Sequence, residues 1–195
     1  MFEVKPLPFS PDSLEGISEQ QIKFHHDVHY AAYVNNRNKI EAQLEEMRKK
    51  GEFGDLRGLK LSESHNASGM MLHEAYFDCM GGKGGEAIGE LAEKIKQDFG
   101  SFENWKKEVL SIAVSARGWV LLCFDPSDGN LHNYSVDYHD IGAVWGSTPV
   151  LALDLWEHAY YLDQGPNKAK YIEAFFRNLN WERINQKFKE VSSKF

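Results

Sequence analysis

Apolar positions in the first half of the chain repeat with the period of an α-helix, whereas the second half contains short apolar runs separated by turns. Residues 19–50 form the longest periodic stretch and predict one long helix, with two histidines and a tyrosine on a single stripe. Ser18 stands at its start with Gln21 three residues later, which is the spacing of a capping box. Prolines within residues 1–16 predict an extended arm before the helix.

Periodicity and turn residues predict the remaining elements. A glycine- and charge-containing connection over residues 51–60 leads to a second long helix, which a glycine-rich loop ends. The helices after the first are predicted at about residues 62–80, 87–99, 102–114, 168–178 and 181–191. The strands are predicted at about residues 119–124, 130–136 and 150–154, the first two joined as a hairpin. Helices followed by a small sheet with further helices predict an α+β fold.

Bulk composition narrows the functional classes. The 195 residues carry a formal charge of -7 and no basic stripe, which argues against nucleic-acid binding. No apolar run approaches membrane-spanning length, so no membrane association is expected. The N-terminus lacks a signal-peptide pattern, and the two cysteines, Cys79 and Cys123, form no CxxC motif. We therefore expect a cytoplasmic protein.

The most informative motif is a carboxylate and an imidazole four residues apart, Asp154 and His158, in an otherwise apolar and aromatic stretch. Buried polar groups are costly unless something pairs with them, and a metal ion is a natural partner for an Asp and a His together. His25 and His73 lie upstream, in the first and second predicted helices. Three histidines and one aspartate make a plausible set of metal ligands.

Each of these signals also has a plainer interpretation. Taken alone, His73 is more often a satisfied core histidine, and the Asp154–His158 pair leaves a metal site and a paired buried charge equally open. Three further histidines show no partner pattern and are expected to be peripheral; they are His26, His65 and His132.

Taken together, the motifs resemble the iron/manganese superoxide dismutase family over nearly the whole chain. The most specific is the string Asp154-Leu-Trp-Glu-His-Ala-Tyr-Tyr161. The others are Lys5-Pro-Leu-Pro-Phe9, His25-xxx-His29-xxx-Tyr33, His73, Phe99-Gly-Ser-Phe-Glu-Asn-Trp105, Gly118-Trp119 and Asn180-Trp181. The resemblance implies an N-terminal helical hairpin domain, residues 1–84, and a C-terminal α/β domain, residues 85–195. The second would contain a three-stranded antiparallel sheet and helices, with the metal site between the two.

The activity that the resemblance implies is the conversion of superoxide to dioxygen and hydrogen peroxide by one-electron cycling of a mononuclear metal. It implies a solvent molecule as fifth ligand and four ligands from the chain: His25, His73, Asp154 and His158. His29 and Tyr33 would line the substrate funnel and relay protons, and Trp119 and Trp156 would form aromatic walls.

The resemblance also implies a homodimer or a homotetramer. In this family Glu157 reaches across the dimer interface to a ligand histidine of the partner subunit. Tyr161 meets the partner's funnel histidine in the same way.

Two positions bear on the choice of metal. Many family members place a Gln against the metal-bound solvent, from the second helix in iron enzymes and from the sheet region in manganese enzymes. Here the helix position is Gly69 and the sheet-side position is His139. That combination resembles archaeal and some bacterial members, so we expect one Fe or Mn ion per subunit, with a lean to iron or to a cambialistic site.

Several positions depart from the family pattern. Met71 and Leu72 stand where Trp-Asn is common, Phe77 replaces a common Trp, and Val28 replaces a basic residue. The usual Asn-x-Arg-Pro is replaced by Asn167-Lys-Ala-Lys170. Because of these changes, we keep a second interpretation, in which the chain is a metal-binding family member with weak or no dismutase activity. A mononuclear iron oxygenase and a zinc hydrolase are further rivals, opposed by the third histidine and by the lack of an HExxH motif.

Overall fold

The computed structural model describes residues 1–194, and an extended arm leads into two long antiparallel helices. The first helix, predicted at residues 19–50, contains a wide π-helical segment. Its parts are α1 (Glu19–Lys23), the π segment (Phe24–Tyr30) and α2 (Ala31–Lys50). The second long helix is α3 (Leu56–Asp78), which packs along α2 and completes the helical hairpin.

The start of the first helix confirms half of the predicted capping box. The Ser18 hydroxyl accepts a hydrogen bond from the Gln21 backbone N–H at 3.1 Å, as an N-cap should. The Gln21 side chain does not return to Ser18. It donates instead to the backbone carbonyl of His158 at 2.6 Å and so ties the helix to the C-terminal half. The Ser18 backbone N–H donates a hydrogen bond to the Asp163 carboxylate at 2.6 Å.

The second helix begins six residues earlier than the sequence predicted, at Leu56 instead of Ser62. The charged, glycine-containing segment before Ser62 reads as a connection because glycine is a poor helix former. Leu56 and Leu59, however, are three residues apart and both partly buried, so a helix through this segment covers apolar surface.

The C-terminal half combines a small sheet with short helices. Its helices are α4 (Gly89–Phe99), α5 (Phe102–Ser115), α6 (Tyr161–Gln164), α7 (Lys168–Arg177) and α8 (Trp181–Ser192), with a 3₁₀ turn at Glu157–Ala159. Its strands are β1 (Trp119–Asp125), β2 (Asn130–Val136) and β3 (Thr148–Asp154). The sheet is antiparallel with the order β2-β1-β3, and α3 packs against β3. The predicted α+β fold class is confirmed.

Strand β3 starts two residues before its predicted position at Val150, and it includes Pro149. Proline is compatible with this place because β3 is an edge strand and the ladder is irregular there, with a register shift between Leu122 and Cys123. The division into residues 1–84 and 85–195 stays a prediction. Within residues 1–194, no helix is both long and apolar enough to cross a membrane.

Candidate metal centre

Four side chains from four different elements converge between the hairpin and the sheet. His25 comes from the π segment, His73 from α3, Asp154 from the end of β3, and His158 from the 3₁₀ turn that follows. One potential ligand atom of each lies within 4.8 Å of all the others. The side chains of His25, His73 and Asp154 are fully buried, and that of His158 is 15% exposed.

The cluster is centred on one carboxylate oxygen. Asp154 Oδ2 lies 3.1 Å from His25 Nε2, 3.7 Å from His73 Nε2 and 3.3 Å from His158 Nε2. The other oxygen, Oδ1, accepts a hydrogen bond from the Trp156 backbone N–H at 2.9 Å, which fixes the carboxylate plane. Asp154 is held in turn by the sheet, since it faces Trp119 on the neighbouring strand.

The hydrogen bonding of the histidine rings favours a metal site. The Nδ1–H of His73 donates to the Gly69 carbonyl oxygen at 2.7 Å, so its Nε2 carries a free lone pair. The buried Nε2 atoms of His73 and His158 have no hydrogen-bond partner among residues 1–194. Buried polar atoms are nearly always paired, so two unpaired nitrogens beside a carboxylate are the expected mark of a cation site.

Burial sets the protonation of the cluster. It lowers the pKa of His25 to about 4 and that of His73 well below its usual range, so both rings are neutral at physiological pH. Burial alone would raise the pKa of Asp154, but His158 and His25, whose Nε2 atoms face its carboxylate, hold that pKa well below its usual range. His25 and His73 therefore present neutral imidazoles beside one anion, the protonation states that metal binding requires.

A chain of hydrogen bonds lies beside the four residues. The indole N–H of Trp119 donates to His139 Nδ1 at 3.0 Å, and His139 Nε2 lies 2.7 Å from the Tyr33 hydroxyl. Because indole nitrogen only donates, Nδ1 must accept and the neutral ring carries its proton on Nε2. Burial lowers the pKa of His139 to about 4, which keeps the ring neutral. His139 therefore donates to Tyr33, and the Tyr33 hydroxyl proton stays free for another acceptor.

Tyr33 and His29 border the centre in different ways. Burial, with the charge of Asp154, raises the pKa of Tyr33 to about 12, so the phenol keeps its proton. The ring of His29 stacks on His158 with centroids 4.2 Å apart, and its nitrogens have no hydrogen-bond partner within residues 1–194. Burial lowers the pKa of His29, and the charge of His158 adds to the effect. Trp156 also stacks on His158, at 6.4 Å, and closes one side.

Comparison with known proteins identifies the family. The family model described as iron/manganese superoxide dismutases, alpha-hairpin domain, matches residues 1–81, and the model for the C-terminal domain matches residues 87–187. The chain is 43% identical over 196 residues to "Superoxide dismutase [Mn] 1" of Halobacterium salinarum, covering 100% of this chain and 98% of the relative. It is 44% identical over 196 residues to "Superoxide dismutase [Mn] 2" of Haloferax volcanii, with the same coverage. It is 39% identical over 192 residues to "Superoxide dismutase [Fe]" of Cupriavidus metallidurans, covering 96% of each chain.

The chain belongs to the iron/manganese superoxide dismutase family. The resemblance inferred from its motifs is thereby confirmed. The four residues that the resemblance named as ligands are the four that the structure brings together. Their role as ligands stays a prediction, as do the roles of the neighbouring side chains.

For a dismutase of this family, the second-helix position at Gly69 is closed to a side chain. A methyl group on Gly69 would lie 2.7 Å from Tyr33 Cδ1, well inside van der Waals contact. The space above the centre is instead filled from the sheet side, by His139, whose ring centroid is 5.9 Å from that of His73. The assignment of His139 as the group that replaces glutamine stays a prediction.

The departures from the superoxide dismutase pattern fall mostly away from the four-residue cluster. Met71 is 59% exposed and Val28 is 55% exposed, so neither lines the centre. Leu72 is buried. Phe77 keeps an aromatic contact with His25, at 5.2 Å between ring centroids. The substitutions therefore leave the histidine and aspartate geometry intact.

Two of the histidines that were expected to be peripheral make contacts that the sequence did not predict. His26 is buried and bonds the Lys5 backbone carbonyl oxygen at 2.8 Å through Nε2, which fastens the arm to the first helix. His65 lies against His139, with ring centroids 4.7 Å apart. Neither contact has a local sequence signal, because each joins segments far apart in the chain. His132 is partly exposed and pairs only with nearby residues, as expected.

Proposed function

We propose that this protein is a superoxide dismutase that uses one iron or manganese ion held by His25, His73, Asp154 and His158. The observation that carries the proposal is the cluster of three imidazoles and one carboxylate, in which the Nε2 atoms of His73 and His158 have no hydrogen-bond partner within residues 1–194. Its overall charge is modest, which suits an ion that must exist in two oxidation states. When bound, the ion would supply one-electron chemistry, taking an electron from one superoxide and giving one to a second.

The lean to iron is not supported by the comparisons. The relatives at 43% and 44% identity over the full chain are named as manganese enzymes, whereas an iron-named relative is at 39%. We therefore propose manganese as the first metal to test and keep a site that works with both as the second possibility. The four ligand types accept either ion, so their identity alone does not discriminate.

The chain's own residues would orient ligands and handle protons. The Gly69 carbonyl holds the His73 ring, and the Trp156 N–H holds the Asp154 carboxylate, so these two ligands need little reorganisation. His139 fills one hydrogen-bonding site on the Tyr33 oxygen, which directs the Tyr33 proton elsewhere. Dismutation consumes two protons for each peroxide formed, and Tyr33 is the partly buried phenol placed beside the cluster to deliver them. His29 is a second candidate for this role.

Reconstitution tests this function directly. We expect apoprotein refolded separately with manganese and with iron to bind about one ion per chain and to dismutate superoxide with at least one of them. His73→Ala should lose metal and activity together, while His132→Ala, a partly exposed histidine outside the cluster, should lose neither. Stoichiometric metal without turnover in either sample would contradict the dismutase and leave the metal-binding family member with weak or no activity.

We further propose that the protein assembles as a homodimer or homotetramer in the cytoplasm. Glu157 and Tyr161 follow the ligand strand, and both side chains are exposed in the single chain, as residues that bind a partner subunit must be. The free, buried cysteines suit a reducing compartment. Light scattering on wild type and on Glu157→Ala measures the assembly. A wild-type monomer at micromolar concentration would rule it out.

A further inference from the structure

The hydrogen-bonded pair of Tyr33 and His139 is connected to solvent through a third ring. His65, on α3, lies with its ring centroid 4.7 Å from that of His139 and 6.0 Å from that of Tyr33. His139 is buried, whereas the His65 side chain is 38% exposed. His65 therefore stands between the buried His139 and the surface.

An aspartate holds His65 from the side. Asp140 Oδ1 lies 3.5 Å from His65 Nδ1, and its Oδ2 accepts a hydrogen bond from the Ser64 hydroxyl at 3.0 Å. The carboxylate is thus fixed by one neighbour and offers an opposite charge to the ring whenever the ring is protonated. Asp140 follows His139 directly in the chain, so one short segment supplies both partners of His65.

The outer side of this pair faces an open hollow in the protein surface. The hollow has a volume of about 330 Å³, and its walls include His65, Asp140, Leu61, Asn66 and Tyr138. Solvent protons can therefore reach the imidazole without any opening of the fold.

Few charged or titratable groups surround His65. Tyr33 faces it from α2, His139 and Asp140 face it from the segment after β2, and Tyr138 lies across the hollow. On its own helix, the positions one turn away on either side are the uncharged Leu61 and Gly69. His65 touches none of the four proposed metal ligands.

The hydrogen bonds around His139 prevent that ring from carrying protons from solvent to Tyr33 by itself. His139 Nδ1 is occupied by the Trp119 N–H, and its one N–H already points at Tyr33. It cannot take up a proton from solvent without breaking the Trp119 bond. The ring of His29 stacks on His158, with centroids 4.2 Å apart.

We propose that His65 delivers protons from solvent to the Tyr33–His139 pair, with Asp140 as its positioning residue. The inference rests on the proposed function, because dismutation consumes two protons per peroxide. In the step, an N–H bond of the His65 imidazolium breaks, and its proton passes, through one intervening water, to the Tyr33 phenolate oxygen. The neutral imidazole then regains a proton from solvent, and no electron moves.

Two substitutions and one matched control isolate this step. His65→Phe keeps a ring of similar size and removes the exchangeable proton, and His65→Gln serves if the phenylalanine variant fails to fold. The control is His132→Phe. His132 also pairs with an aspartate, Asp128, at 2.9 Å, and its side chain is likewise 38% exposed, but it makes no contact with Tyr33 or His139.

The first readout is turnover of the metal-loaded enzyme at saturating superoxide. We expect His65→Phe to bind the same amount of metal and to lose about tenfold in turnover, less than is usual for a proton-transfer residue because water offers other routes. Added imidazole should restore the lost turnover, which a merely structural defect would not allow. The His132→Phe control should match wild type.

The second readout does not depend on activity. In metal-free protein with nitrogen-labelled histidine, the His139 ring signal should shift as His65 titrates, and His65→Phe should abolish that shift. Three results would each overturn the inference. They are an unchanged turnover in both His65 variants, a loss of turnover that imidazole does not restore, and a His139 signal that does not respond to His65. Metal-loaded wild type without dismutation would instead overturn the proposed function, and the second readout would still decide whether His65 is coupled to His139.

Discussion

At Gly69 the second long helix approaches Tyr33 too closely for a side chain. A methyl group there would lie 2.7 Å from one ring carbon and 2.9 Å from the next, so Gly69→Ala must displace the phenol. We expect a loss of about 1–3 kcal/mol in the free energy of unfolding, as for overpacking in a filled interior. Urea unfolding measures the loss, and the turnover of the metal-loaded variant should fall with it.

A second glycine of the same helix gives the matched control. A methyl group on Gly58 would meet only Asp55 side-chain atoms, at an ordinary 3.4 Å. Gly58→Ala should therefore raise stability by about 0.5–1 kcal/mol through backbone entropy alone. If Gly69→Ala were stabilising to the same degree, the close approach of Tyr33 would not constrain this position.

His139 should tune the metal without binding it. His139→Ala removes the bridge between the Trp119 N–H and the Tyr33 hydroxyl but none of the four clustered side chains. A hydrogen bond to a charged group contributes about 1.5–3 kcal/mol, which for a one-electron couple corresponds to roughly 60–130 mV. We expect stoichiometric metal and a reduction potential shifted by an amount of this order, measured by redox titration.

Glutamine at the same position is the informative control. Its carbonyl can accept from Trp119 while its amide donates to Tyr33, so His139→Gln retains both hydrogen bonds. We expect its potential to stay closer to wild type than that of His139→Ala. An alanine variant with an unchanged potential would show that His139 does not influence the centre.

At the scale of elements, the π segment determines how the first helix presents its rings. Phe24–Tyr30 carries both His25 and His29, and the wide turn shifts everything after it relative to an α-helix. Such segments often occur at functional sites. Because Tyr33 lies just beyond the segment, its position relative to His25 depends on the extra width of the turn.

Deleting one exposed residue from the π segment tests this dependence. Val28 is 55% exposed, and its removal would shift the register of Tyr33 against His25 by one residue. We expect the deletion to break the Tyr33–His139 hydrogen bond and to lower turnover by about 100-fold, as misplacement of catalytic groups does. Val28→Ala keeps the register and should behave as wild type. A deletion variant with full activity would contradict a role for the wide turn.

The same segment shows where the sequence stops being informative. Periodicity located the helix over residues 19–50, and Ser18 marked its start correctly. The π turn could not be predicted from the sequence, because Phe24–Tyr30 contains neither proline nor glycine. The π turn occurs where the chain makes tertiary contacts. There His25 packs among His73, Tyr76 and Phe77. Local sequence does not encode such contacts.

The candidate site likewise contains some features that the sequence could reveal and others that it could not. The Asp154–His158 pair could be found because both residues lie in one short apolar stretch, where an isolated charge needs an explanation. The contact between His65 and Asp140 could not, because it joins α3 to the segment after β2 and depends on how the hairpin packs on the sheet. Both residues look like ordinary surface charges in the sequence.

At the scale of the whole molecule, the buried histidines make stability depend on pH. His25 and His139 have pKa values of about 4 in the folded chain, because burial disfavours their charged forms. Unfolding returns both to the ordinary value near 6.5, so the unfolded chain binds more protons between these limits. The stabilisation is therefore fully present above about pH 6.5 and is lost as the pH falls towards about 4.

The metal-free protein should display this dependence directly. A fully buried histidine with such a shift contributes about 3 kcal/mol, so we expect the free energy of unfolding to fall by several kcal/mol between about pH 7 and about pH 4.5. His139→Gln should flatten the dependence by up to one proton, and the surface variant His132→Gln should not. Bound metal should steepen it, because protons compete for the same imidazoles. Equal unfolding free energies at the two pH values would mean that the folded chain takes up these protons as readily as the unfolded one, and that the cluster is not held neutral in advance of the metal.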